Sequence, residues 1–130
     1  MGASTFIVHT KPYANAREAF NDAIRDAAWE YGHGGYTGTI AEKSNFFLIE
    51  KPRNRRLQSR TLLKAVQEID RISWRGTDAE KRQWKKRIGN YLFEEIVKGW
   101  QGDKWGPAAG IQLTNKPGKN EYLFFGWASQ

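Results

Sequence analysis

The 130-residue chain has no cysteine, two histidines, one methionine and four prolines. Without cysteine there is no disulfide scaffold, no thiol nucleophile and no thiolate metal site. His9 and His33 cannot supply an all-histidine catalytic zinc site, and they lack the i, i+4 spacing that usually supports a two-histidine one. No apolar run approaches the ~18 residues of a membrane span. The N-terminus also lacks the basic-then-apolar order of a signal peptide. These absences predict a cytoplasmic protein with no membrane partner, no cofactor and no resident metal.

What the chain does have is positive charge and aromatic mass. Lys+Arg number 21 against 14 Asp+Glu, a net +7. Six Trp, five Tyr and seven Phe offset a modest apolar fraction of 39%, since each ring buries far more area than an alanine. That content argues against disorder, and the length favours one domain over residues 1–130.

Thr5–Thr10 is β-prone and ends at Lys11-Pro12. Asn15 is placed to cap a helix, with Glu18 as reciprocal partner. Ala16, Phe20, Ala23, Ile24, Ala27, Ala28 and Tyr31 then recur at helical spacing, and Gly32 is placed to stop the helix in a left-handed conformation. Thr37–Glu42 and Phe46–Glu50 read as strands of a hairpin turning at Lys43-Ser44-Asn45. Residues 51–60 read as a basic surface loop. A second helix carries Leu62, Leu63, Val66, Ile69 and Ile72 and ends near Gly76. Thr77 with Glu80 opens a third, which carries Trp84, Ile88, Leu92, Phe93, Ile96 and Val97 and stops at Gly99. Ile111–Thr114 and Tyr122–Trp127 are the last strands, joined through Lys116-Pro117-Gly118-Lys119 as a type II turn. The expected fold is α+β, with order β-α-β-β-α-α-β-β, a largely antiparallel sheet and helices packed on one face.

Four glycines fall between residues 32 and 38. The segment follows a helix and precedes a predicted strand, the reverse of a P-loop, so the helix dipole there repels anions. A nest of backbone amides is still an anion cradle that glycine allows, with Thr37 and Thr39 adding hydroxyls and Tyr36 a flat face. The plainer reading is a helix stop and a tight strand entry. Two basic clusters follow: Lys51, Arg53, Arg55, Arg56, Arg60 and Lys64, then Arg75, Lys81, Arg82, Lys85, Lys86 and Arg87. Each could be a solvated helix face or a polyanion surface. Trp84 reads as core, Trp29 as core or rim, and Trp105 as exposed. Trp74, Trp100 and Trp127 sit at element ends.

The run Tyr31-Gly32-His33-Gly34-Gly35-Tyr36-Thr37-Gly38-Thr39-Ile40-Ala41-Glu42-Lys43, with the terminal Leu123-Phe124-Phe125-Gly126-Trp127-Ala128-Ser129, resembles small accessory proteins encoded by bacteriophages. That resemblance implies a host-cytoplasm protein that acts by binding a host or defence protein, a nucleotide signal or nucleic acid.

The function expected from the residues is non-enzymatic binding of a phosphate-bearing partner, either nucleic acid or a nucleotide. Arg53, Arg55, Arg56 and Arg60 would grip phosphates, because the planar guanidinium fork spans two oxygens. His33, Tyr36, Thr37 and Thr39 would form a neighbouring polar pocket, and Trp105 a stacking face. One alternative is a protein-interaction module docking its basic face on an acidic host protein. A second is a small hydrolase or transferase using His33 or His9 with a nearby carboxylate such as Glu42, Glu50 or Glu121.

Overall fold

The computed structural model describes residues 2–32, 34–52 and 56–130. The elements run β1 (Ala3–His9), α1 (Ala16–Tyr31), a 3-10 turn (Ile40–Glu42), β2 (Phe46–Leu48), α2 (Ser59–Arg75), α3 (Asp78–Ile88), α4 (Asn90–Trp100), β3 (Ala108–Gln112) and β4 (Tyr122–Ser129). The class is α+β, as expected. Among the described residues no helix is long and apolar enough to cross a membrane.

The strands form one four-stranded sheet in the order β1-β4-β3-β2. β1 pairs with β4 and β3 with β4, both antiparallel, whereas β2 pairs with β3 in parallel. The predicted hairpin of residues 37–42 and 46–50 does not form. Instead the Thr39 side chain accepts from the Ala41 amide and caps the 3-10 turn. A short hydroxyl side chain offers the backbone that local alternative to a strand. β2 then reaches β3 through a crossover containing α2, α3 and α4.

Helices lie on both faces of the sheet, not on one. Residues of β4 alternate between two cores. Tyr122, Phe124 and Ala128 pack with Phe20, Ala23 and Ala27 of α1, while Leu123 and Phe125 pack with Val66, Ile69, Ile96 and Trp100 of α2 and α4. A strand apolar on both sides needs cover on both sides.

Local signals explain most boundaries. Asn15 accepts from the Glu18 amide to start α1, and Gly32 ends it at φ +89. Thr77 and Glu80 form both arms of a capping box. The predicted third helix is two, because Gly89 takes φ +93 and breaks it, and α4 extends to Trp100. Gly118 at φ +73 behind Pro117 fits the type II turn.

Candidate nucleic-acid interface

The glycine-rich segment already holds an anion of its own. The Glu42 carboxylate accepts from the Thr37 amide at 3.2 Å and from the Thr37 hydroxyl at 2.6 Å, with the Thr39 hydroxyl 2.8 Å from that of Thr37. The segment is tied to the end of β4: Gly38 N donates to Ser129 O at 2.7 Å, and Ser129 Oγ donates to Gly35 O at 2.9 Å. The Thr37 and Thr39 hydroxyls are therefore spent internally. His33 lies outside the described residues.

Tyr36 does meet Trp105, edge to face, with ring centroids 6.4 Å apart. Trp105 is 62% exposed, with the Lys104 ammonium 5.5 Å from its ring centroid. Its loop is organised by Lys43, a buried side chain whose Nζ donates to the carbonyls of Asp103, Lys104 and Gly106 at 3.4, 3.0 and 2.9 Å. Burial pushes the Lys43 ammonium below its ordinary value, and the charge of Asp103 opposes that shift. Lys43→Met keeps the length of the side chain and removes the donors. It should cost about 1.5–3 kcal/mol, the range for hydrogen bonds to a charged group, and should speed tryptic cleavage after Lys104. Urea unfolding and timed proteolysis read the two effects.

The expected arginines are elsewhere. The Ser59 hydroxyl donates to Leu113 O at 2.7 Å, so Arg56 and Arg60 stand beyond the C-terminal end of β3, whereas Trp105 precedes its N-terminal end. The stacking face and these arginines thus lie at opposite ends of the sheet. Arg53 and Arg55 lie outside the described residues.

What links the two ends is α2. Its exposed positions are Arg60, Lys64, Gln67, Arg71, Trp74 and Arg75: four cations, one amide, one indole and no carboxylate. From Arg60 to Arg75 the helix rises about 22 Å. The spacing of 4, 3, 4 and 3 residues from Arg60 to Trp74 keeps these side chains on one face. Chain proximity puts Arg60 and Lys64 in one basic cluster, Arg75 in the other and Arg71 in neither, whereas helical periodicity gathers them into one stripe.

At the C-terminal end of the stripe is a cleft of about 490 Å³ lined by Thr5, Asp70, Arg71, Trp74, Arg75 and Trp127. Trp74, 58% exposed, stands edge to face with Trp127 at 6.5 Å. The Trp127 indole N–H donates to Trp100 O, which fixes its ring. Arg71 donates to Glu80 at 2.7 Å, while Arg75 has no ion-pair partner among the described residues. Burial raises the Asp70 carboxyl above its ordinary value.

His9 does find a carboxylate: Nε2 lies 2.7 Å from Glu121 Oε1, with both side chains over a third exposed. The adjoining cleft, lined by His9 among others, is about 120 Å³, below the ~300 Å³ at which ligand pockets begin. Among the described residues no cluster of three His, Asp or Glu side chains is placed to hold a metal.

No family model matches this chain, and comparison with curated proteins and with solved structures found no similar protein.

Proposed function

We propose that the protein is a non-enzymatic binding module for a phosphate-bearing partner, with nucleic acid the partner its outer surface suits best. The observation that carries this reading is the outward face of α2, where four cations and an indole are exposed and no carboxylate is. A stripe of about 22 Å matches some six charges of one duplex strand at ~3.4 Å of axis per charge. Trp74 and Trp127 offer faces on which a base or nucleobase ring stacks, a contact worth about 1–3 kcal/mol.

Titration against single-stranded and duplex oligonucleotides at two salt concentrations tests it, together with a nucleotide panel read by thermal shift. Binding that weakens steeply with salt and quenches tryptophan fluorescence is the expected result. No detectable affinity for any of these ligands at low salt overturns the reading.

Asp70 supplies a pH signature. Its folded-state value is raised, so the carboxylate takes up its proton at a higher pH than an exposed one. As pH falls through that raised value the cleft loses a negative charge beside Arg71 and Arg75, and affinity for a polyanion rises. Asp70→Asn should give that higher affinity at neutral pH and remove this component of the pH dependence.

A further inference from the structure

The outward faces of α1 and α2 are dominated by charges of opposite sign. On α1, Glu18, Asp22, Asp26 and Glu30 recur every fourth residue and form an acidic ridge. Asp22 is engaged by Arg25 at 3.1 Å and by the Tyr13 hydroxyl. Glu18, Asp26 and Glu30 have no ion-pair partner among the described residues. Arg17 lies over the Phe46 ring, 4.7 Å from its centroid, and leaves the ridge uncompensated at that end. On the same surface stands Trp29, 92% exposed. It follows Glu18 by eleven residues, about three helical turns, so the two share a line along the helix.

A single exposed apolar side chain carries no message by itself. Here its setting does. The indole at the end of an acidic ridge on α1 has a counterpart in the aromatic cleft at the end of a basic ridge on α2. A stretch of each ridge matches the other in length. Glu18 to Trp29 and Lys64 to Arg75 are each eleven residues, about 16 Å of helix. We propose that the protein self-associates head to tail, with α1 of one copy laid along α2 of the next and Trp29 seated in the Trp74–Trp127 cleft. In that register Glu18 falls beside Lys64 and Trp29 beside Trp74 and Arg75, with Glu30 one residue further along.

The contact is heterologous, because α1 and α2 lie on opposite faces of the sheet, so each associated pair leaves one α1 and one α2 surface open to further copies. It uses the face assigned above to a polyanion, and the acidic ridge is then an internal competitor for that face. The net +7 opposes assembly at long range, which makes the contact one of local complementarity and keeps it weak and reversible.

Sedimentation velocity on the nuclease-treated full chain is the test. At low salt the weight-average mass should rise with concentration above the 15.0 kDa monomer and fall back as salt is added. Trp29→Ala should shift the association to higher concentration. A variant with Glu18→Lys, Asp26→Lys and Glu30→Lys should be monomeric, and so should one with Arg60→Glu, Lys64→Glu and Arg75→Glu. Mixing these two should restore association, because the reversed α1 of one now meets the reversed α2 of the other. All these side chains are exposed, so circular dichroism should be unchanged. A wild-type chain that stays monomeric at every concentration overturns the proposal. So does association that ignores Trp29→Ala, or a mixture that fails to recover.

Discussion

Replacing Arg60, Lys64 and Arg75 with glutamine should lower oligonucleotide affinity by roughly two to three orders of magnitude at low salt. It should also flatten the dependence of log K on log salt by about 2.7. The second figure is the sharper one. Each phosphate neutralised by a protein cation releases condensed counterions, with a slope of about 0.9 per contact on duplex DNA. Three lost contacts therefore remove about 2.7. Net charge alone does not explain such a loss if position matters, and a control separates the two. The triple change takes the protein from +7 to +4, three charges fewer. Replacing Lys11, Lys116 and Lys119 with glutamine makes the same subtraction at exposed positions outside α2. If the α2 face is the track, the first protein loses the slope and the second keeps most of it. Equal losses from both would mean a diffuse electrostatic attraction with no interface. Arg71 is left in place because its guanidinium also holds Glu80 at the start of α3, and its loss would confound binding with folding.

Why this face was harder to see in the sequence than the core is a matter of which periodicity is followed. The apolar positions of α1 and α2 repeat at helical spacing and end in glycines, so both helices were legible, as were the Thr77–Glu80 cap and the Pro117-Gly118 turn. The same spacing, applied to charged residues, joins Arg60, Lys64, Arg71 and Arg75 on α2 and Glu18, Asp22, Asp26 and Glu30 on α1. Grouping by neighbourhood along the chain hides both ridges. The run Tyr122-Leu123-Phe124-Phe125 also carried a signal for cover on both faces, since a strand with one wet face alternates. Other features depend on tertiary placement. Trp74 and Trp127 meet only because the C-terminal end of α2 lies beside Thr5 of β1 and Trp127 of β4. Trp100, at the end of its helix, is buried with its indole N–H donating to Val66 O at 2.8 Å, while Trp29 is left in solvent. The Thr37–Glu42 stretch has strand composition, but a threonine cap and an internal Glu42 contact outweigh that propensity.

Gly99→Ala should destabilise the protein by about 1–3 kcal/mol, although alanine is the better helix former by about 1 kcal/mol. The clash outweighs the propensity because of what a Cβ would meet. Added at Gly99, it would lie 2.5 Å from Cε2 of Phe125 and 2.9 Å from Cβ of Ala109. Neither is the free end of a flexible chain. Phe125 is fully buried on the central strand β4, and its ring lies 4.9 Å from that of Trp100. Phe125→Ala should cost more, about 3–5 kcal/mol, through lost burial and the cavity left behind. The two changes are in contact, so their costs should not add: the alanine methyl enters part of the space the ring vacates, and the double variant should be more stable than the sum predicts. Urea midpoints with unchanged m-values would measure this, and strict additivity would show that α4 does not rest on Phe125. The same helix reaches the cleft, since Trp100 O accepts from the Trp127 indole. A Gly99→Ala protein that still folds should therefore show an altered Trp127 environment and weaker oligonucleotide binding, with every α2 cation in place.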